Sequence, residues 1–401
     1  MSRQESLLQW TACVSSNMPE LSMSQARLLA WWSYGIAITG ACGRYGVATF
    51  LALLCGLKVA NVEQRLYEWC LDAQDKAGRQ RQEVALTTCQ VALLRWLVRL
   101  WGGTQMALTL DATSLGARFV VLVVSVVYRG IGIPVAWVVL PANTKGAWRK
   151  EWLRLLRLLR PAIPPDWTVI VLADRGLYAG WLYRRIVRLG WHPFLRINNR
   201  CLFRPAGCGG WYRLTNLVSQ VGQQWYGRGS CFQDPAGRLA SCTLLAWWEP
   251  GNSDPWFILT DLAPDASAVT WYGLRAWCEQ GFKCTKSGGW QWQLTQMHHP
   301  ARAARLWLAL ALATFWTVSV GSELECGTNL DDPELPDLQA LLDLKPGRRR
   351  IRLLRLGRLW LLVQAIAQHA IQLPRQLLPE PWPAPLAPTQ AVLTPWPEVP
   401  I

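Results

Sequence analysis

The sequence predicts an α/β protein: a mixed-sheet core, interrupted by a β-rich insertion and preceded by a helical region. Three observations predict it. Strand-length apolar runs alternate with helix-length segments across residues 104–199. Two of those runs close on an aspartate, Asp111 and Asp174. Residues 200–265 then change to short alternating pieces rich in Gly, Trp and Cys.

Residues 1–103 read as helical. Ser24 is a candidate cap for a helix through Leu28 to Trp32. Gly40, Gly43 and Gly46 separate it from Thr49–Leu54, and a helix from Asn61 carries Val62, Leu66 and Trp69 at helical spacing. Short helices joined by glycine-bearing turns fit a helix-turn-helix-like DNA-binding module; a plain helical cap on the core is the competing reading. The basic patch Lys76 to Arg81 precedes a further apolar segment, Val84–Trp101.

Strands are expected at Met106–Leu110, at Phe119–Tyr128 and Ile133–Val139 as a hairpin around Arg129-Gly130, at Trp167–Ala173 and at Pro193–Ile197. Helices are expected at 147–160, ended by Pro161, and at 179–189, ended by Gly190. Strand-strand-strand-helix-strand-helix-strand is the order of an RNase H-like domain, an assignment that also rests on the resemblance below. Within the insertion, Trp211–Leu214, Thr243–Trp247 and Trp256–Thr260 read as strands. The core resumes over 266–322 with a helix from Trp271 to Gly289 and the apolar stretch Leu306–Val320. Residues 323–373 hold an acidic loop and a basic amphipathic segment, Lys345–Arg358, with an apolar face of Leu353, Leu356, Leu359 and Leu362. Residues 374–401 form a Pro-rich tail, expected to be disordered.

The chain has 401 residues, 51% of them hydrophobic, which is enough for a large core and excludes wholesale disorder. A formal net charge of +15 favours a polyanionic partner. The 12 cysteines include no C-x2-C pair, so a zinc site is not expected. No secretory signal is read at the start, which gives a cytoplasmic default; a place on the bacterial nucleoid rests only on the resemblance below. Phe119–Leu140 is broken by Arg129, Gly130, Gly132 and Pro134, and Leu306–Val320 is about 15 residues long, short of the roughly 20 that span a bilayer. No membrane association is expected.

The candidate chemistry lies in three carboxylates and one helix. Asp111, Asp174 and Glu279 are separated by 63 and 105 residues, so only the fold can bring them together. Clustered carboxylates resist ionisation unless a cation joins them, and oxygen donors with open positions suit Mg2+ or Mn2+. Two such ions activate a water or 3′-hydroxyl in phosphodiester displacement. Read singly, an aspartate after a strand is a turn residue or a cap. Tyr272, Arg275, Glu279 and Lys286 stand at relative positions 0, 3, 7 and 14. On an α-helix they share an arc of roughly 60°. A solvated face with i,i+4 ion pairs is the plain alternative.

These residues resemble the Tyr-x2-Arg-x3-Glu-x6-Lys signature of DDE transposases of the insertion sequence four type. LTLDAT around Asp111 and VIVLADRGLY around Asp174 resemble the family's two aspartate motifs, and the likeness covers about residues 104–320. The resemblance implies an RNase H-like catalytic domain that binds the terminal inverted repeats of its element and cuts and joins DNA by transesterification. It implies Asp111, Asp174 and Glu279 as metal-holding catalytic residues, with two Mg2+ or Mn2+ ions. Arg275 and Lys286 would grip phosphates, Tyr272 would support them, and Arg175 would neutralise a phosphate. It also implies a homodimer that synapses double-stranded ends on target DNA. Where a DNA hairpin forms, a flipped base needs a platform, for which Trp247, Trp248 and Trp256 are candidates. Two other readings stay open: an RNase H-like nuclease or domesticated recombinase, and a non-catalytic DNA-binding relative or transposition inhibitor.

Overall fold

In the computed structural model, the residues described are 4–77, 81–144, 146, 148–327 and 352–386. Five helices come first: α1 (Glu5–Asn17), α2 (Met23–Thr39), α3 (Arg44–Cys55), α4 (Val59–Cys70) and α5 (Leu86–Leu100). Ser22, not Ser24, caps α2, in a capping box with Gln25. The reason is register: the helix begins at Met23, so Ser24 already lies inside it. Val62, Leu66 and Trp69 of α4 are buried, as their spacing predicts.

The core strands are β1 (Gln105–Leu115), β2 (Phe119–Tyr128), β3 (Ile131–Pro141), β4 (Thr168–Ala173) and β5 (His192–Arg196). Helices α6 (Arg149–Leu159) and α7 (Gly180–Arg188) carry the chain from β3 to β4 and from β4 to β5. The order β3-β2-β1-β4-β5, antiparallel across β1–β3 and parallel across β1, β4 and β5, is the RNase H-like arrangement. Strand β1 does not stop before Asp111, as its sequence suggests. It runs on to Leu115 because β2 pairs with it as far as Leu115↔Phe119.

The insertion supplies β6 (Leu202–Pro205), β7 (Tyr212–Arg213), β8 (Gln224–Cys231), β9 (Leu239–Trp247) and β10 (Trp256–Thr260). These strands continue the core sheet, since β10 pairs with β5, and ten strands form one sheet. The short pieces β6 and β8 carry no clear alternation and are not legible in the sequence.

Both faces of the sheet are buried, so its central strands are apolar throughout. Along β4, Val169, Val171 and Ala173 join the main core, while Ile170 and Leu172 join a second cluster with Ala107, Phe194 and Ile258. That second face is covered by a 3-10 segment, Val269–Arg275, through Val269, Tyr272 and Leu274.

Helix α8 (Ala276–Thr285) follows, then α9 (Pro300–Cys326). Helix α9 is 27 residues long, not the 15 or so of its apolar stretch, and is by length and composition a possible span. Its apolar window is entirely buried inside the protein, against α2, α5, β3 and α10 (Leu353–Ala367). Helix α10 lies on α9 at glycines: a Cβ at Gly357 would overlap the Thr317 carbonyl oxygen, and one at Gly321 the Leu353 carbonyl oxygen. The apolar face predicted for this segment is partly right: Leu353 and Leu356 are buried, and Leu359 is exposed. The acidic stretch up to Leu344 lies outside the described residues beyond Gly327, as does the basic run before Arg352.

The tail up to Leu386 is packed, contrary to the disorder expected of its composition. Leu377 exchanges backbone hydrogen bonds with Leu100 and Gly102, at 2.8 and 2.7 Å. Buried Glu323 accepts from the Gln372 side chain at 2.6 Å and the Arg375 backbone at 3.0 Å. Trp382 packs on Trp271, ring centroids 4.8 Å apart, and the Trp271 indole donates to the Pro383 carbonyl at 3.1 Å. Proline offers carbonyls and apolar rings without needing a donor satisfied, so an extended Pro-rich strand can be strapped down by its neighbours. Residues 387–401 lie outside the described residues.

Candidate active site

Register places the two aspartates side by side. The parallel ladder between β1 and β4 ends at Leu110↔Ala173, so Asp111 and Asp174 are the next residues on adjacent strands. Alternation then sets the face. Asp111 continues Ala107 and Thr109, and Asp174 continues Ile170 and Leu172, so both point to the side covered by Val269–Arg275.

Arg275 ends that segment and stands among the acids. Its Nη2 lies 2.8 Å from Asp111 Oδ2 and 3.1 Å from Asp174 Oδ2, and its Nη1 lies 3.0 Å from Glu279 Oε1. One guanidinium therefore bridges Asp111, Asp174 and Glu279, at 15% exposure against 58% for Glu279. Burial raises the Asp111 carboxyl above its ordinary range, and the neighbouring guanidinium pulls it back. Burial disfavours the charge on Arg275, but Asp111, Tyr272 and Asp174 outweigh it and hold the group protonated. The Arg275 Nε is buried with no partner.

The single helix from Trp271 to Gly289 is not formed, and the shared stripe inferred from it fails. Tyr272 and Arg275 lie on the 3-10 segment, Glu279 on α8, and Lys286 at the C-cap with non-helical backbone. A 3-10 turn has about 3.0 residues, so the 100° step does not hold there. Only the Arg275–Glu279 neighbourhood survives. Lys286 turns to the end of β1 and donates to the Ser114 carbonyl at 2.9 Å, its pKa lowered by burial. Tyr272 is buried, its phenol pushed to about 12 by that burial, and its ring packs edge-on against Trp256 at 5.3 Å. Arg175 pairs with Asp254 from the loop before β10.

Trp247 and Trp256 contact each other edge-on at 5.6 Å and line the second cluster. Trp248 packs on the main core and donates to the Asn252 carbonyl at 3.0 Å.

Two residues at the site are not singled out by the sequence. Arg196 follows the last β4–β5 pair, Ala173↔Leu195, and so stands next to Asp174 in the row. It lies 3.3 Å from Asp254, which it shares with Arg175, and its Nε is buried and unpaired. Burial, then Arg175, lowers its pKa. The available signal is an arginine closing an apolar strand; the shared Asp254 has none. Cys278 brings its Sγ within 3.7 Å of Asp111 Oδ2.

Among the described residues, no three Asp, Glu, His or Cys side chains are arranged to hold one metal ion as they stand. The Arg275 guanidinium occupies the space between the carboxylates. The donor set is all carboxylate oxygen and already encloses one positive charge, so it fits a divalent cation in place of that guanidinium.

Two aspartates side by side where the parallel ladder of β1 and β4 ends, with a glutamate on a following helix, stand on a core of RNase H-like strand order. The chain belongs to the DDE transposase family: the family model described as Transposase DDE domain matches residues 110–316. It is thus a transposase by family, acting on DNA, in a family that works with divalent metal. No curated protein matches the chain. Among solved structures it is similar to the piggyBac transposase in a synaptic complex with hairpin DNA. That likeness has 13% identity, covers 87% of this chain and 84% of that one, and has a TM-score of 0.35.

Proposed function

We propose that this protein cuts the DNA at the ends of its own mobile element and joins those ends to a target, in the manner of insertion sequence four type transposases. The observation that carries this is the convergence of Asp111, Asp174 and Glu279 on one guanidinium at the end of the parallel ladder. The three carboxylates would hold Mg2+ or Mn2+, as two ions. When bound, such ions activate a water or 3′-hydroxyl and stabilise the leaving oxygen.

The chain's own residues do the rest. Asp111, Asp174 and Glu279 hold the charge that the metals neutralise. Arg275, once out of the carboxylates, and Lys286, once off Ser114, present cations to backbone phosphates on the same side of the sheet. Arg175 and Arg196 flank Asp174 and add positive field where a phosphate approaches. Tyr272 anchors the segment that carries Arg275. Terminal inverted repeats would be bound as duplex, two copies of the chain would synapse a pair of ends, and the site of action would be the bacterial nucleoid.

The test is incubation of purified protein with Mg2+ and DNA carrying the element's flanking ends, resolved on a denaturing gel. Parent protein should nick and join. Asp111→Ala, Asp174→Ala and Glu279→Ala should each abolish cleavage and keep end binding. Cleavage near the parent rate in any one of the three would remove that residue from the site. Binding without any cleavage by the parent would favour the non-catalytic relative.

A further inference from the structure

Helix α8, which carries Glu279, meets the edge strand β3 through a glycine on each side. A Cβ at Gly281 would stand 2.4 Å from the Gly132 carbonyl oxygen. One at Gly132 would stand 3.1 Å from Cys278 Cα and 3.2 Å from Ser125 Cβ. Non-bonded heavy atoms pack at about 3.5–4.0 Å, so the first contact has no room for a side-chain atom and the second is short of it by a few tenths of an ångström. A glycine inside a strand marks a place where another backbone comes close. Ser125, small and buried, interrupts the valines of β2 at this spot, and Thr109, also buried, is its cross-strand partner on β1.

This contact lies directly behind the acids. Cys278 and Gly281 are three residues apart and share the buried side of α8. Glu279 is the residue after Cys278 and stands exposed at the rim. The Cys278 Sγ reaches Asp111 Oδ2 at 3.7 Å, and Asp111 is two residues beyond Thr109 on β1. One stretch of α8 therefore rests on β3, touches Asp111 and presents Glu279. A side chain between helix and strand can change rotamer and let the helix ride up; backbone against backbone cannot.

We propose that Gly281 and Gly132 are positioning residues: their backbone contact sets the distance from Glu279 to Asp111, and with it the span that the two carboxylates offer a divalent cation. The inference rests on the reading of Glu279 as a metal-holding residue and adds the part of the fold that holds it in place. A Cβ at position 281 has to lift α8 by about 1 Å to regain ordinary contact, and one at position 132 by a few tenths of that. Donor distances in a metal site tolerate only about 0.2 Å, so both substitutions should be felt at the metal, in the order of the displacement they force.

The test is the Mn2+ affinity of the full chain, read by electron paramagnetic resonance with pre-cut end DNA that lacks its 3′-hydroxyl, so that no joining intervenes. Gly281→Ala should weaken Mn2+ binding about tenfold or more and Gly132→Ala about threefold, both with parent-level affinity for the DNA. Val62→Ala, a truncation in α4 where it packs on α2, α3 and α9, should lose stability in urea and bind Mn2+ like the parent. Glu279→Ala should lose Mn2+ that the parent binds. Parent-level Mn2+ affinity in both glycine variants, or a loss no larger than that of Val62→Ala, overturns the positioning role and leaves Glu279 in the site. Where circular dichroism shows Gly281→Ala unfolded, the milder Gly132→Ala decides by the same criterion. Unchanged Mn2+ binding in Glu279→Ala overturns the metal-holding reading and the positioning role with it.

Discussion

Arg275 Nη2 lies 2.8 Å from Asp111 Oδ2, and that contact puts a positive charge where a carboxylate site would receive a metal. The same nitrogen lies 3.1 Å from Asp174, so one side chain offsets the repulsion between two aspartates on neighbouring strands. Removing the guanidinium should therefore loosen the site and open it to cations. In chelator, Arg275→Ala should lose about 1–2 kcal/mol, because Asp111 then carries a half-buried charge with no cation beside it. Mn2+ should then raise the melting temperature of the variant more than that of the parent. Equal shifts in the two proteins would show that the guanidinium and the cation do not share a place.

The same residue should matter more for joining than for nicking. Nicking needs the acids and one scissile phosphate, whereas joining also needs the cut end oriented for attack. Arg275→Ala should lower joining of a pre-cut end by at least about tenfold, roughly 1.4 kcal/mol in the transition state. Lys286→Ala should lower it less, since an ammonium lacks the bidentate fork. Side-by-side assays of both steps decide it; small, equal losses in the two steps would reduce the pair to a structural role.

Metal exchange separates binding from chemistry. Mg2+ or Mn2+ should support strand cleavage, and Ca2+ should support binding of end DNA with little cleavage, because Ca2+ takes more ligands at longer distances. Strong cleavage in excess chelator would rule out a metal-dependent reaction.

Trp382 should act on the site from the tail. It packs on Trp271, one residue before Tyr272 and four before Arg275. Trp382→Ala should cost about 1–2 kcal/mol of stability, an aromatic pair plus partly buried area. Joining should fall further than that loss explains, because the Val269–Arg275 segment gains freedom. Urea unfolding paired with the joining assay measures both, and parent-level joining in the variant would uncouple the tail from the site.

Gly357 gives a stability test with an unexpected sign. On an isolated helix, Gly→Ala gains roughly 1 kcal/mol. Here the added Cβ would overlap the Thr317 carbonyl oxygen of α9, and backbone cannot step aside cheaply. Gly357→Ala should therefore destabilise by about 2 kcal/mol or more. Gly46→Ala, which meets open space, should be neutral or mildly stabilising. Denaturant midpoints of the two variants check the contrast.

Much of the fold is legible in local pattern. Nearly continuous apolar runs mark β2 and β4 because both faces of the sheet are covered, and Val62, Leu66 and Trp69 mark the buried stripe of α4. Other features mislead for physical reasons. The tail reads as disordered from its prolines, but its order comes from carbonyls and rings that Trp271 and Gly102 engage, and from the Arg375 backbone N–H that Glu323 accepts, all far away in sequence. The helix through Tyr272 and Lys286 reads as continuous, yet its first part is drawn into a tighter 3-10 turn as Val269, Tyr272 and Leu274 bury onto the sheet.

The sequence by itself determined the ingredients: two aspartates each following an apolar run, and an arginine four residues before a glutamate, close enough to meet on any helical turn. It did not determine how they meet. That Asp111 and Asp174 are neighbours is decided by the parallel register of β1 and β4, and that they point the same way by the two-residue period counted from it. That Arg275 stands between them is decided by the packing of its segment on the same face. Periodicity reports which side of an element is buried, and contains nothing about which distant element lies against it; only the closed sheet supplies that.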